Sequence, residues 1–167
     1  RNNTVYALLA KYNAGPVNVG FNVHRIAAGS AVGNTTAKNV DNYTLAGTFD
    51  AKVVKLHALA TYNMVEATGL RADFTGSNYM LGASVPVGKL TLKTSVNYSD
   101  YNGEANNSLK GQATQYAFGA DYALSKRTNF YAAYSLIDSN FARSQTIQGV
   151  SDAQANSGVA VAAVAGR

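Results

Sequence analysis

Few residues of this 167-residue chain have side chains suited to catalysis. The only histidines are His24 and His57, and cysteine is absent, so a disulfide scaffold and a Cys-based metal site are excluded. A Ser-His-Asp arrangement would have to combine one histidine with a serine and with Asp73 or Asp100. No Gly-x-Ser-x-Gly elbow accompanies them. A hydrolytic enzyme is therefore a weak interpretation of this sequence.

Other chemical motifs are equally poorly supported. Two distant histidines without cysteine do not suggest a metal site, and the sequence has no phosphate-cradling glycine motif. The formal charge is +5, but lysine and arginine are not clustered, and scattered tyrosines beside lysines do not form a stacking platform for nucleic acid. We expect no metal, no cofactor and no nucleic-acid partner.

The remaining chemistry is electrostatic, and it depends on which side chains share a face. The residues assigned to one polar face are Lys11, His24, Lys55, His57, Lys93, Asn97 and Asp121. Three lysines on one wall would concentrate anions near it, which predicts a weak anion preference if the wall lines a water-filled lumen. The alternative, that these lysines are solvated and have no selective role, stays open.

Strands must position these residues, because apolar and polar residues alternate with a period of two. In Leu90–Asp100, for example, Leu90, Leu92 and Val96 interleave with polar residues. Nine strands are predicted, most near the 9–11 residues of a tilted strand that crosses a bilayer. They are Thr4–Asn13, Val17–Ile26, Asn42–Asp50, Val54–Met64, Ser77–Val85, Leu90–Asp100, Gln115–Leu124, Thr128–Ile137 and Gly158–Ala165.

The connections alternate between short turns and long polar segments. Short turns are predicted at Ala14–Pro16, Asp50–Val53, Pro86–Lys89 and Ser125–Arg127, and the segments between the hairpins are much longer. This asymmetry is typical of bacterial outer-membrane barrels. Charged residues make up 14% of the chain and hydrophobic residues 47%, too few charges for an ordinary soluble surface. We therefore predict an all-β fold, an antiparallel transmembrane β-barrel.

Aromatic residues on the apolar faces group near the strand ends. The predicted membrane-interface aromatics are Tyr12, Phe49, Tyr62, Tyr98, Tyr116 and Tyr122. Two aromatic girdles are expected where a barrel meets the two membrane surfaces, since the ring prefers the acyl boundary and the hydroxyl reaches water. The competing interpretation is that tyrosine is simply a good strand former.

Strand parity predicts that the chain is part of a larger barrel. Complete bacterial barrels have an even number of strands, and both termini then lie on the same rim. Here the first strand starts at the rim of the long segments and runs into a short turn. The ninth strand follows a long segment and ends at the rim of the short turns, so the two ends of the chain lie on opposite rims. We expect residues 1–167 to form a single partial barrel domain.

Two stretches resemble a known family. The segment Gly119–Ile137, GADYALSKRTNFYAAYSLI, is similar to the penultimate hairpin of the sixteen-stranded general porins of Gram-negative beta-proteobacteria, and Arg1–Tyr6 is similar to the start of a mid-chain strand in them. The chain lacks the terminal aromatic residue of that family, ending at Ala165–Arg167, and has roughly half the length that sixteen strands require. The resemblance implies the C-terminal half of such a porin, with its last strand cut short.

The same resemblance implies a function and partners. Such porins are homotrimeric, integral outer-membrane channels for the passive passage of small hydrophilic solutes and ions, and they contact outer-membrane lipid. Several of them prefer anions, so the resemblance implies a weak anion preference. The alternative from the residues alone is a small outer-membrane barrel that acts as an adhesin or structural protein, with an outer-membrane hydrolase less favoured. A soluble ligand-carrying barrel is a third alternative.

Overall fold

The computed structural model describes residues 4–27, 37–67, 73–103, 110–125, 128–139, 146–147, 150–151 and 157–165. Nearly all of these residues belong to strands. The strands are β1 Thr4–Ala14, β2 Val17–Ala27, β3 Ala37–Asp50, β4 Lys55–Ala67, β5 Phe74–Val87, β6 Leu90–Gly103, β7 Gly111–Ser125, β8 Thr128–Ser139, β9 Thr146–Ile147, β10 Val150–Ser151 and β11 Ser157–Ala165. No helix in this part of the chain is long and apolar enough to span a membrane.

The strands form one antiparallel meander. The main sheet has nine strands in the order β1 to β8 followed by β11, and each strand pairs with its neighbour in that order. The first and last strands of the sheet are not paired with each other, so the sheet is open. The predicted all-β antiparallel meander and its nine strands are confirmed. The short hairpin β9–β10 forms a separate sheet; it is not predicted, because two-residue strands have no readable period.

The strands extend further toward the long connections than the hydrophobic pattern predicts. β3 begins at Ala37 instead of Asn42, β5 at Phe74 instead of Ser77, and β7 at Gly111 instead of Gln115. The physical reason is that apolar residues no longer recur at every second position near these ends, so the alternation fades while the backbone hydrogen bonds of the ladder continue.

Two hairpins close with two-residue turns that require glycine. In the turns Gly15–Pro16 and Gly88–Lys89, glycine has a φ of +52° and +62° respectively, and the second residue does not have a positive φ. A positive φ at the first central position alone is the pattern of type II′, whose twist matches that of the flanking strands. These turns fix the registers Ala14↔Val17 and Val87↔Leu90.

The registers show which side chains share a face. Residues directly opposite each other in an antiparallel pair point to the same side, so one row can be followed through the sheet. It contains Lys11, Gly20, Ala46, Leu59, Met80, Asn97, Gln115 and Ile137. The row starts close to the short-turn end of β1 and finishes close to the opposite end of β8. Such a stagger is the strand tilt that a barrel wall requires.

The described residues have almost no apolar core. Ala113 and Ile137 are the buried hydrophobic residues among them, whereas large apolar side chains such as Leu8, Leu81 and Phe118 are more than half exposed. The apolar side chains therefore cover an outer surface instead of meeting inside a sandwich.

Candidate functional site

The registers place all seven candidate polar residues on one face of the sheet, the polar face. These residues are Lys11, His24, Lys55, His57, Lys93, Asn97 and Asp121. They divide into a charged group near the short turns and a neutral region toward the long connections. His24 belongs to the neutral region, since it shares a row with Asn42 and Asn63.

The charged group is centred on three adjacent strands. Lys55, Ser84 and Lys93 are direct cross-strand partners on β4, β5 and β6. His57 Nε2 lies 3.1 Å from Ser84 Oγ, and Lys93 Nζ forms an ion pair with Asp121. Lys93 is therefore not equivalent to the other lysines of the polar face, which the sequence alone does not indicate.

Lys11 lies on β1, apart from this group. It lines a shallow recess of about 380 Å³ together with Asn13, Asn18, Thr48 and His57. In the part of the chain that the structure describes, neither Lys11 nor Lys55 has a recorded carboxylate partner within ion-pair distance. Both ammonium groups contribute positive charge to the polar face, and Lys55 has Asp50 as its cross-strand partner.

Amides and hydroxyls cover the half of the polar face nearer the long connections. Asn42 donates to Asn63, Asn78 donates to Thr61 over 3.2 Å, and Ser99 donates to Asn78 over 2.6 Å. Sequence reasoning missed these residues, although their alternate spacing places them on the same face as Lys93. Their mutual hydrogen bonds hold a neutral wall without charge.

The network continues on β7. Gln115 Nε2 donates to Ser135 Oγ over 2.8 Å, and Asn97, Ser99 and Gln115 are buried. No buried side-chain polar atom among the described residues lacks a hydrogen-bond partner. Burial of these groups without partners would cost about 1–3 kcal/mol each.

The six predicted interface aromatics lie on the opposite face, the apolar face. They are Tyr12, Phe49, Tyr62, Tyr98, Tyr116 and Tyr122. Tyr62 contacts Tyr43 with ring centroids 6.5 Å apart, and Tyr98 is the cross-strand partner of Tyr79. Tyr12, Phe49 and Tyr122 lie near the short turns, and the others lie farther toward the long connections, as two bands require.

The apolar face becomes charged just beyond the tyrosines nearest the long connections. Arg25 donates to both carboxylate oxygens of Asp41 over 2.6 and 2.7 Å, and Asn39 donates to Glu66 over 2.6 Å. These residues were not singled out from the sequence. Because Asp41 is only two positions from Tyr43, the row of tyrosines marks where the apolar band ends on this side of the wall.

Of the groups in a Ser-His-Asp arrangement, the structure places His57 next to Ser84 but does not place Asp100 with them. His24 and His57 lie on the polar face, whereas Asp100 lies on the apolar face two positions beyond Tyr98. No group of three or more metal-ligating side chains converges within the described ranges. The turn residues Lys126 and Arg127, part of the segment that resembles porins, lie outside the described residues.

An antiparallel wall with one polar face and one aromatic-banded apolar face defines an integral outer-membrane β-barrel fold. The sequence model of one family, described as Gram-negative porin, matches residues 1–142. The chain therefore belongs to the Gram-negative porin family and is an integral protein of the bacterial outer membrane. No curated relative matches the sequence.

Solved structures with a similar fold are also porins or outer-membrane proteins. An anion-selective porin from Comamonas acidovorans is 25% identical with a TM-score of 0.68, over 95% of this chain and 43% of that one. OmpT, an outer membrane protein of Vibrio cholerae in its trimer form, is 16% identical with a TM-score of 0.69, over 96% and 53%. The chain thus spans about half the length of the structures that it matches.

Proposed function

We propose that the protein forms a water-filled outer-membrane channel for the passive passage of small hydrophilic solutes and ions, with a weak preference for anions. The carrying observation is the division of the sheet into a polar face with the seven candidate residues and an apolar face with the six predicted interface aromatics. In an outer-membrane barrel the apolar face contacts lipid and the polar face lines the lumen. Passage then needs no catalytic turnover, no cofactor and no metal.

The proposed anion preference rests on Lys11 and Lys55. Neither forms an ion pair among the described residues, although Lys55 faces Asp50 across the ladder, and a wall with an excess of one sign concentrates ions of the other. Lys93 contributes less, because Asp121 offsets its charge. Similarity to a porin described as anion-selective supports the same direction. The ion pair makes the expected bias smaller than three free lysines would produce.

Partners follow from the same proposal. The apolar face would contact outer-membrane lipid, and the intact protein would assemble as a homotrimer, the form described for one structure of similar fold. The amides and hydroxyls of the polar face suit many small polar molecules, so we propose a general solute range.

The reversal potential of the intact protein in planar lipid bilayers under a salt gradient tests this function. We expect a reversal potential of the sign that favours chloride over potassium. Lys11→Gln combined with Lys55→Gln should shift it toward zero, because two positive charges leave the lumen wall. Lys110→Gln, at the start of β7 and away from the charged group, is the matched control and should leave it nearly unchanged.

Two results would contradict the proposal in different ways. A clear cation preference of the wild-type channel would refute anion selectivity but leave a channel. Folded protein in bilayers that conducts no ions would refute the channel itself and favour the adhesin or structural barrel.

A further inference from the structure

A recess in the polar face lies beside the charged group. It has a volume of about 480 Å³ and extends across β4 to β8, within the range of 300–1,000 Å³ typical of small-molecule sites. The polar side chains of the polar face that line it are those of His57, Ser84, Lys93 and Ser95. The remaining polar-face residues around it are mostly small: Gly82, Ala117, Gly119 and Ala133. The small side chains leave room for a solute against the wall.

Hydrogen-bond donors converge at the rim of this recess. Ser84 lies directly between Lys55 and Lys93 in the register, and directly opposed residues have Cβ atoms about 5 Å apart. Both flexible lysine side chains can therefore reach above the Ser84 hydroxyl. His57 Nε2 lies 3.1 Å from that hydroxyl, so an imidazole joins the same cluster.

Two carboxylates face this cluster, and neither blocks it. Asp50 is the cross-strand partner of Lys55, but its Oδ1 accepts a hydrogen bond from the backbone N–H of Lys52 over 2.8 Å. Asp121 pairs with Lys93, and the two side chains are 38% and 54% exposed. An ion pair this exposed is worth at most about 1 kcal/mol, so a more highly charged anion can displace the carboxylate.

We propose that this recess is a weak, saturable subsite for compact oxyanions with two or more negative charges, such as phosphate or a short dicarboxylate. This deepens the proposed anion preference and rests on it. Lys55 and Lys93 supply the positive charge, and Ser84, Ser95 and His57 supply shorter-range hydrogen bonds to the oxygens. Binding must stay weak, since a solute that crosses a channel must also leave the site.

The test is the chloride current of the intact channel in planar bilayers, titrated with inorganic phosphate and, separately, with succinate. We expect the current to fall along a saturating curve. Lys55→Gln and Ser84→Ala should each weaken the apparent affinity by up to about fivefold, the size expected for one exposed charge contact. Two different variants keep the test informative if one folds poorly.

Lys11→Gln is the matched control, because it removes the same charge from the same face on β1, whereas Lys55 is the cross-strand partner of Ser84, which lines the recess. It should lower the chloride preference while retaining the saturation by phosphate within about twofold. Saturation by phosphate alone would assign the subsite to phosphate-type anions, and saturation by both probes would assign it to oxyanions in general.

Failure of this inference differs from failure of the proposed function. A current that changes linearly with phosphate, or an equal loss of affinity in Lys11→Gln and Lys55→Gln, would overturn the subsite and leave a diffuse anion preference intact. Wild-type channels that prefer cations would instead contradict the proposed anion preference itself.

Discussion

At the scale of single residues, the main change to the sequence-based interpretation concerns Lys93. Its type and spacing make it one of three similar lysines, but in the structure it forms an ion pair with Asp121. Asp121 lies two positions after Gly119, which is the cross-strand partner of Lys93 on β7. Lys11 and Lys55 have no such recorded partner among the described residues. Because Lys93 and Asp121 carry opposite charges, removing the charge of one should affect ion selectivity in the opposite direction from removing that of the other.

We expect Asp121→Asn to raise the anion-to-cation permeability ratio and Lys93→Glu to lower it. The change should be up to about fivefold for Asp121→Asn and up to about thirtyfold for Lys93→Glu, because a unit charge 4 Å away in water is worth about 1 kcal/mol and the second variant changes two units. Reversal potentials of the two variants under the same salt gradient measure this. Identical ion ratios in wild type and both variants would contradict a selective role for the pair.

Gly76 provides a second prediction at this scale, on stability. A Cβ at this position would lie 2.7 Å from the ring of Tyr101, which stacks on Phe74 with centroids 5.5 Å apart. Gly76→Ala should therefore displace the ring and destabilise the barrel by about 1–3 kcal/mol, the usual cost of overpacking. Denaturant unfolding in lipid vesicles measures the free energy.

Gly20→Ala is the control for this comparison, since it also adds a methyl group to the polar face. The nearest atom to the new Cβ is 4.0 Å away, and the lower entropy of the unfolded chain should make this change neutral or stabilising by up to about 1 kcal/mol. Equal destabilisation by both substitutions would show that the loss comes from removing glycine itself and not from contact with Tyr101.

At the scale of secondary-structure elements, the short turns differ in how well their residues suit the backbone. Gly15 and Gly88 occupy positive φ without strain, but Lys52, in the turn before β4, has a φ of +69°. A residue with a Cβ loses about 1–2 kcal/mol in this left-handed region. The backbone conformation of the turn at Lys52 is therefore less favourable than that of the turns at Gly15 and Gly88.

We expect Lys52→Gly to stabilise the barrel by up to about 1 kcal/mol, since the relief of strain exceeds the entropy that glycine loses on folding. Gly15→Ala is the opposite experiment and should cost about 1–2 kcal/mol; the added Cβ meets no atom within 4 Å, so this cost would come from φ alone. Unfolding midpoints in urea compare the two variants with wild type. A loss of stability in Lys52→Gly would show that the turn is not strained by its backbone.

At the scale of the whole molecule, the sheet separates an apolar face from a polar face. The apolar face carries exposed side chains such as Leu81, which is 69% exposed, and its neighbour Met80 lies on the polar face beside His57. The two residues are adjacent in sequence, yet in a membrane barrel one would contact lipid and the other water. The orientation of the wall can therefore be tested with one pair of variants.

We expect Leu81→Lys to reduce barrel folding into lipid vesicles by about 2–4 kcal/mol, the cost of a lysine near the bilayer midplane. Met80→Lys should fold nearly as well as wild type, because its ammonium group would extend into the lumen. The folded fraction as a function of urea measures both. A larger loss for Met80→Lys than for Leu81→Lys would mean that the two faces are assigned the wrong way round.

Much of the fold and part of the candidate site could be predicted from the sequence. The alternation predicts the nine strands of the main sheet, and the positions of glycine and proline mark two of the four predicted short turns. The strand ends beyond Tyr43, Tyr79 and Tyr116 could not be predicted, because apolar residues no longer alternate regularly there while backbone hydrogen bonding continues.

The sequence by itself determined which side chains share a face, because the two-residue period of a strand is a local property of the chain. This is why all seven candidate polar residues lie on one face and all six aromatic residues on the other. Only the tertiary structure decided which of them are neighbours: Lys93 with Asp121, His57 with Ser84, and Arg25 with Asp41. Each of those contacts joins residues that are 16 or more positions apart in sequence, so it depends on the register between two strands. Register is set jointly by turns and pairing, so no single segment encodes it.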